Sequence, residues 1–84
     1  MFYVYILESG KDQSYYIGST HNIDIRLNEH NYGRTGYSKL KRPWRLIYKE
    51  DFQNRSGAMK REKYLKNLKN KKYLEALIKK NFAA

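Results

Sequence analysis

The sequence predicts an α+β fold: a three-stranded antiparallel sheet flanked by helices, in the order β-β-α-β-α-α. Three observations carry this. Two short aromatic runs, FYVYIL and SYYIG, stand on either side of a polar break, which is the pattern of a β-hairpin. A third run, PWRLIYK, again mixes aromatic, β-branched and charged residues. The segments between and after these runs repeat apolar residues at the 3, 4 spacing of a helix. With 84 residues the chain reads as one domain, residues 1–84. A chain of this size buries only about 60% of its unfolded surface, so a sheet covered by helices on both faces is the simplest burial scheme.

Each element has its own justification. Residues 2–7 form a strand with Phe2, Val4 and Ile6 on one side and Tyr3, Tyr5 and Leu7 on the other. Both sets are apolar, so both faces should be covered. Residues 8–13 make the turn, and residues 14–18 form the second strand. Pairing Leu7 with Ser14 would set Tyr5 directly across from Tyr16 on one face. Thr20 or Asn22 caps the first helix, Ile23, Leu27 and His30 share its inner face, and Gly33 ends it. A basic loop over residues 34–42 leads to Pro43, which opens the third strand, where a missing N–H is tolerated. Trp44, Leu46 and Tyr48 should alternate with Arg45, Ile47 and Lys49. Asn54 or Ser56 starts a second helix that runs to about Leu68. Asn70 interrupts the pattern, and Tyr73, Leu74, Leu77 and Ile78 mark a terminal amphipathic helix backed by Phe82.

Composition narrows the functional classes. There is no cysteine, so disulfides and thiolate zinc sites are excluded, and a reducing, cytoplasmic setting is expected. No apolar run approaches the ~20 residues of a membrane span, and no signal-peptide pattern opens the chain. The net charge is +10. Residues 55–84 carry ten Lys/Arg against two Glu, whereas residues 1–54 carry eight against six acids. So uneven a positive field favours a polyanion, with nucleic acid ahead of an anionic membrane or an acidic protein surface. Lys39, Lys41, Arg42, Lys60, Lys63 and Lys66 are the candidate phosphate contacts. The sequence assigns no oligomeric state.

Several polar groups fall where apolar ones are expected. Arg26 and His30 lie four residues apart beside the inner stripe of the first helix, and Glu62 lies inside the apolar arc formed by Ala58, Leu65 and Leu68. Each has a plain structural reading: a snorkelling arginine, a satisfied core histidine, and an i, i+4 pair of Glu62 with Lys66 worth ~0.3–0.5 kcal/mol. Tyr5 and Tyr16 could likewise be only a stabilising cross-strand pair.

Taken together, these residues resemble the GIY-YIG nuclease superfamily, in particular its small stand-alone members. Tyr3-Val4-Tyr5 stands where the family name has Gly-Ile-Tyr, Tyr16-Ile17-Gly18 is the intact second half-motif, and Arg26 and His30 match its R-x-x-x-H helix. Glu62 matches the metal-binding glutamate, and the KRPWRLIY and RSGAMKRE segments extend the likeness over nearly the whole chain. Ser19 and Thr20 follow Gly18 where some members carry a lysine, and no residue is assigned to the asparagine that many nucleases carry beyond the glutamate.

The resemblance implies a metal-dependent endonuclease that hydrolyses phosphodiester bonds, DNA ahead of RNA, with low sequence specificity and a setting in repair or recombination. Tyr5, Tyr16, Arg26, His30 and Glu62 would be its catalytic residues. Glu62 would anchor one Mg²⁺ or Mn²⁺, bound weakly without substrate because magnesium usually keeps its waters and needs phosphate oxygens besides one or two carboxylates. Arg26 would clamp phosphate oxygens. Tyr5 is expected as the base-like group, with Tyr16 positioning it and His30 sharing the proton. That role needs the Tyr5 pKa to fall from ~10. The alternative is a non-catalytic basic nucleic-acid-binding module on the same fold.

Overall fold

The computed structural model describes residues 1–32, 39–68 and 70–83, with the side chains of 81–83 left aside. Three strands, β1 (Phe2–Ser9), β2 (Tyr15–Thr20) and β3 (Trp44–Phe52), form one antiparallel sheet in the order β2-β1-β3. Helix α1 (Ile23–Asn31) follows β2, and α2 (Arg55–Leu68) and α3 (Lys71–Ala83) follow β3. The β-β-α-β-α-α order and the α+β class are as the sequence predicts. The expected stop at Gly33 and most of the basic loop, 34–38, lie outside the described residues, as does the Phe82 side chain.

Alternation along β1 builds two cores. Val4 and Ile6 are fully buried beneath α2 and α3, among Ala58, Leu65 and Leu74. Tyr5 and Leu7 face the other way, against Trp44, Ile23 and Leu27. Full burial of one such aliphatic side chain is worth ~1.5–3 kcal/mol, so the central strand anchors both layers.

The hairpin differs from the predicted register by two residues. Leu7 pairs with Tyr16 and Tyr5 with Gly18. The reason is Ser9, which is 1% exposed. Its hydroxyl accepts from the Lys11 and Asp12 backbone N–H groups at 3.0 and 3.3 Å and donates to the Lys41 carbonyl at 2.6 Å. Ser9 N–H donates to Ser14 O at 2.8 Å. The turn therefore closes after Ser9 and both strands lengthen. A two-residue shift equals the side-chain period, so Tyr5 and Tyr16 still share a face, but diagonally.

The alternation expected for β3 is also broken. Ile6 pairs with Tyr48 while Leu7 pairs with Leu46, leaving Ile47 as an extra residue in a bulge. Trp44 and Leu46 consequently join the α1 layer, while Ile47 and Tyr48 join the α2/α3 layer. In α3, Leu74 is buried and Leu77 and Ile78 are half-buried, but Tyr73 is exposed rather than part of the apolar face.

Side-chain caps fix the helix starts. Asn22 Oδ1 accepts from Ile25 N–H at 3.1 Å, Asn54 Oδ1 from Gly57 N–H at 3.0 Å, and Asn70 Oδ1 from Tyr73 N–H at 3.1 Å.

Candidate active site at the β2 edge

Strand β2 is an outer strand with α1 on one side of the sheet and α2 on the other, and the candidate residues meet around its edge. Gly18 makes this possible. A Cβ at that position would lie 2.5 Å from the Tyr5 phenol oxygen and 2.7 Å from Cζ. Only a residue without a side chain lets the Tyr5 ring lie across β2.

The phenol oxygen of Tyr5 is 3.2 Å from His30 Nε2. Both residues are buried, Tyr5 at 2% exposure and His30 at 0%. Tyr16 stacks on Tyr5 with ring centroids 6.4 Å apart, and meets His30 edge-on at 4.5 Å. Trp44 closes the cluster, 6.0 Å from Tyr16 and 6.4 Å from His30. Asn31 holds Trp44 through a two-point clamp: Trp44 N–H donates to Asn31 Oδ1 at 2.6 Å, and Asn31 Nδ2 donates to the Trp44 carbonyl at 3.0 Å.

Electrostatics set the protonation states. Burial, with the Arg26 charge next in weight, holds His30 below its ordinary pKa, so the imidazole is neutral at pH 7. The Tyr5 phenol then donates to Nε2, which assigns the ring proton to Nδ1. Burial also raises the Tyr5 pKa to about 12, against the opposing pull of Arg26. This is opposite in direction to the lowering expected for a base-like tyrosine: at this buried position the cost of a phenolate outweighs one nearby guanidinium. Burial disfavours the Arg26 charge as well, yet its bonds to Tyr5 and Glu29 more than compensate and keep it protonated. The Arg26–Glu29 pair spans 3.1 Å.

Glu62 joins from the opposite layer. The Ser19 hydroxyl donates to Glu62 Oε1 at 2.5 Å, and Lys66 Nζ lies 2.6 Å from Oε2. Ser19 and Arg26 line the same cleft, about 330 Å³ in volume, together with His21 and Arg55. The Glu62 charge reaches Tyr5, where it opposes ionisation. Thus Tyr5, Tyr16, His30 and Arg26 form one cluster, and Glu62 is tied to it through Ser19. Sequence reasoning passed over Ser19, Arg55 and Asn31. Ser19 was visible only as a departure from the family pattern, and Arg55 only as one of many cations.

The candidate phosphate contacts divide. Lys39, Arg42, Lys60 and Lys63 are exposed. Lys41 is engaged at the hairpin turn, 2.9 Å from Asp12, and Lys66 is engaged by Glu62.

The profile of the GIY-YIG catalytic domain matches residues 1–81. The chain belongs to the GIY-YIG family. Among similar GIY-YIG proteins, a UPF0213 protein of Syntrophus aciditrophicus is 44% identical over 81 residues, covering 94% of this chain and 91% of the relative. One from Clostridium perfringens is 39% identical over 82 residues, covering 96% and 87%. The solution NMR structure of a UPF0213 protein from Bacillus halodurans superposes with a TM-score of 0.57 at 34% identity, covering 92% of this chain and 83% of that one. These relatives make the chain a small GIY-YIG protein of the UPF0213 type.

GIY-YIG domains are associated with a divalent cation. Among the described residues no cluster of three His, Cys, Asp or Glu forms a closed metal cage. Glu62 offers a single carboxylate, already in contact with the Lys66 ammonium. One carboxylate suffices for Mg²⁺ when substrate phosphate supplies further oxygens, so the donor set fits a cation bound together with nucleic acid.

Proposed function

We propose that this chain is a GIY-YIG endonuclease that hydrolyses DNA phosphodiester bonds with low sequence specificity. The observation that carries the reading is the convergence of Arg26, the Tyr5–His30 pair and the Ser19-held Glu62 around the β2 edge. Arg26 binds the non-bridging phosphate oxygens and stabilises the charge that gathers there in the transition state. Glu62 would hold the divalent cation, which would supply Lewis-acid polarisation of the phosphate.

A Tyr5 pKa near 12 leaves roughly one phenol in 10⁵ ionised at pH 7, so free tyrosinate is not the base. The pair acts as a relay instead. Tyr5 passes its proton to the neutral Nε2 of His30 as its oxygen takes a proton from the attacking water. The water oxygen bonds to phosphorus, the bond to the leaving oxygen breaks, that oxygen is protonated by solvent, and His30 afterwards returns its proton through Tyr5 to the water that refills the site. Tyr16 keeps the Tyr5 ring in place.

A cleavage assay on branched DNA, linear DNA and RNA, with and without Mg²⁺ or Mn²⁺, tests this. Wild-type protein is expected to cut DNA only with metal, Glu62→Ala to lose cutting while still binding DNA, and Tyr5→Phe to slow cutting by about 10²–10⁴-fold. Wild-type rates in both variants would defeat the assignment. The second reading, a non-catalytic nucleic-acid-binding module, is favoured by the complete burial of His30, which a packing histidine shares. It requires binding without cutting on every substrate.

A further inference from the structure

The cleft that holds Arg26 is one of three neighbouring depressions that share wall residues. A second, of about 310 Å³, is lined by Tyr3, Asn22, Asp24 and Lys49, and shares His21 with the first. A third, of about 410 Å³, is lined by Lys60, Glu62, Lys63 and Lys66, and shares Met59 with the first. The series passes from the α1 layer, round the end of the sheet where β1 begins and β2 ends, and onto the outer side of α2.

Two cations along it are set differently from the rest. Lys49 Nζ lies over the Tyr3 ring and the Arg55 guanidinium over the Phe2 ring, each 5.4 Å from the centroid. Phe2 and Tyr3 point to opposite faces of β1, so they brace one cation on each side of Arg26. Among the described residues neither Lys49 nor Arg55 enters an ion pair, whereas Arg26, Lys41, Arg45, Arg61 and Lys66 all do. Asp24 and Glu62 are the acids along the path. A cation held by an aromatic face keeps its charge available to an anion. The Lys41 region lies at the other end of β1, about 24 Å away at ~3.4 Å per residue.

We propose that Lys49 and Arg55 bind the phosphates flanking the one at Arg26, so that a nucleic-acid strand follows a track from Lys49 past His21 and Arg26, over Met59, to the Glu62 side of α2. This rests on the nuclease reading and adds the path of the substrate. Met59, 55% exposed, is the apolar point that a base meets as the strand turns.

Fluorescence anisotropy of labelled 20-mer single-stranded DNA and RNA, in EDTA and over a range of salt, tests the track. Lys49→Gln and Arg55→Gln are each expected to weaken binding about 3–10-fold and to lower the salt slope by about 0.7. The matched loss of charge in Lys11→Gln, at the exposed hairpin turn, leaves affinity within twofold, and Lys49→Arg and Arg55→Lys restore binding. In cleavage assays the two Gln variants raise KM and leave kcat intact. If they bind no worse than Lys11→Gln while wild type still cuts, the track is wrong and the nuclease reading stands. Absence of salt-dependent binding by the wild type overturns the track, and the cutting assay separately decides the nuclease reading.

Discussion

Gly18 and Tyr5 show how much a single position can determine. The glycine half of the second motif is a steric vacancy that the Tyr5 ring fills. Gly18→Ala is expected to cost about 1–3 kcal/mol, as overpacked sites do, measured by urea unfolding. The same substitution in a Tyr5→Ala background should cost much less, because the clashing ring is gone. Gly18 and Tyr16 were legible as a motif, but the contact between Gly18 and Tyr5 was not, since it depends on a register that Ser9 sets from outside both half-motifs. The direction of the Tyr5 pKa was not legible either: it follows from burial by Trp44, Ile23 and Leu27, and sequence spacing carries no information about that enclosure.

At the level of elements, α1 and β3 are joined by the Asn31 clamp on the Trp44 backbone. Asn31→Ala removes both part-buried hydrogen bonds of the clamp, at a cost of about 2 kcal/mol. Trp44 is the chain's single tryptophan, so a red-shifted emission should report the loosening of the Tyr16–His30–Trp44 cluster directly. An unchanged spectrum and stability would show that the clamp is dispensable. Strand and helix existence were readable from periodicity, because alternation and 3.6-residue spacing are local. The bulge at Ile47 was not, because an unbroken run of side chains that suit either face hides a change of phase.

For the molecule as a whole, pH couples the site to stability. His30 has its folded pKa lowered, chiefly by burial. The unfolded chain therefore binds a proton first as pH falls, and stability, fully present above about 6.5, drops progressively below it. Urea midpoints should fall between pH 7.5 and pH 5 in the wild type. His30→Gln should remove that component, and His21→Gln, at an exposed position, should retain it. The excess of positive charge was plain from composition and pointed to a polyanion. Which cations face the same way depended on tertiary structure: Arg61 is spent on Glu50 in a bond reinforced by Tyr48, while Lys49 and Arg55 are left available.

The surplus residue in β3 has a consequence for how this strand is specified. Trp44 serves one layer and Glu50 the other, and the hand-over between them occurs at Ile47. Excision of that one residue would turn Tyr48 to Phe52 over together, directing Lys49 away from the groove and Glu50 away from Arg61. Chain length at this point is therefore fixed more tightly than side-chain identity: an exchange of Ile47 for Val is a local adjustment, while a single-codon deletion rewrites the strand.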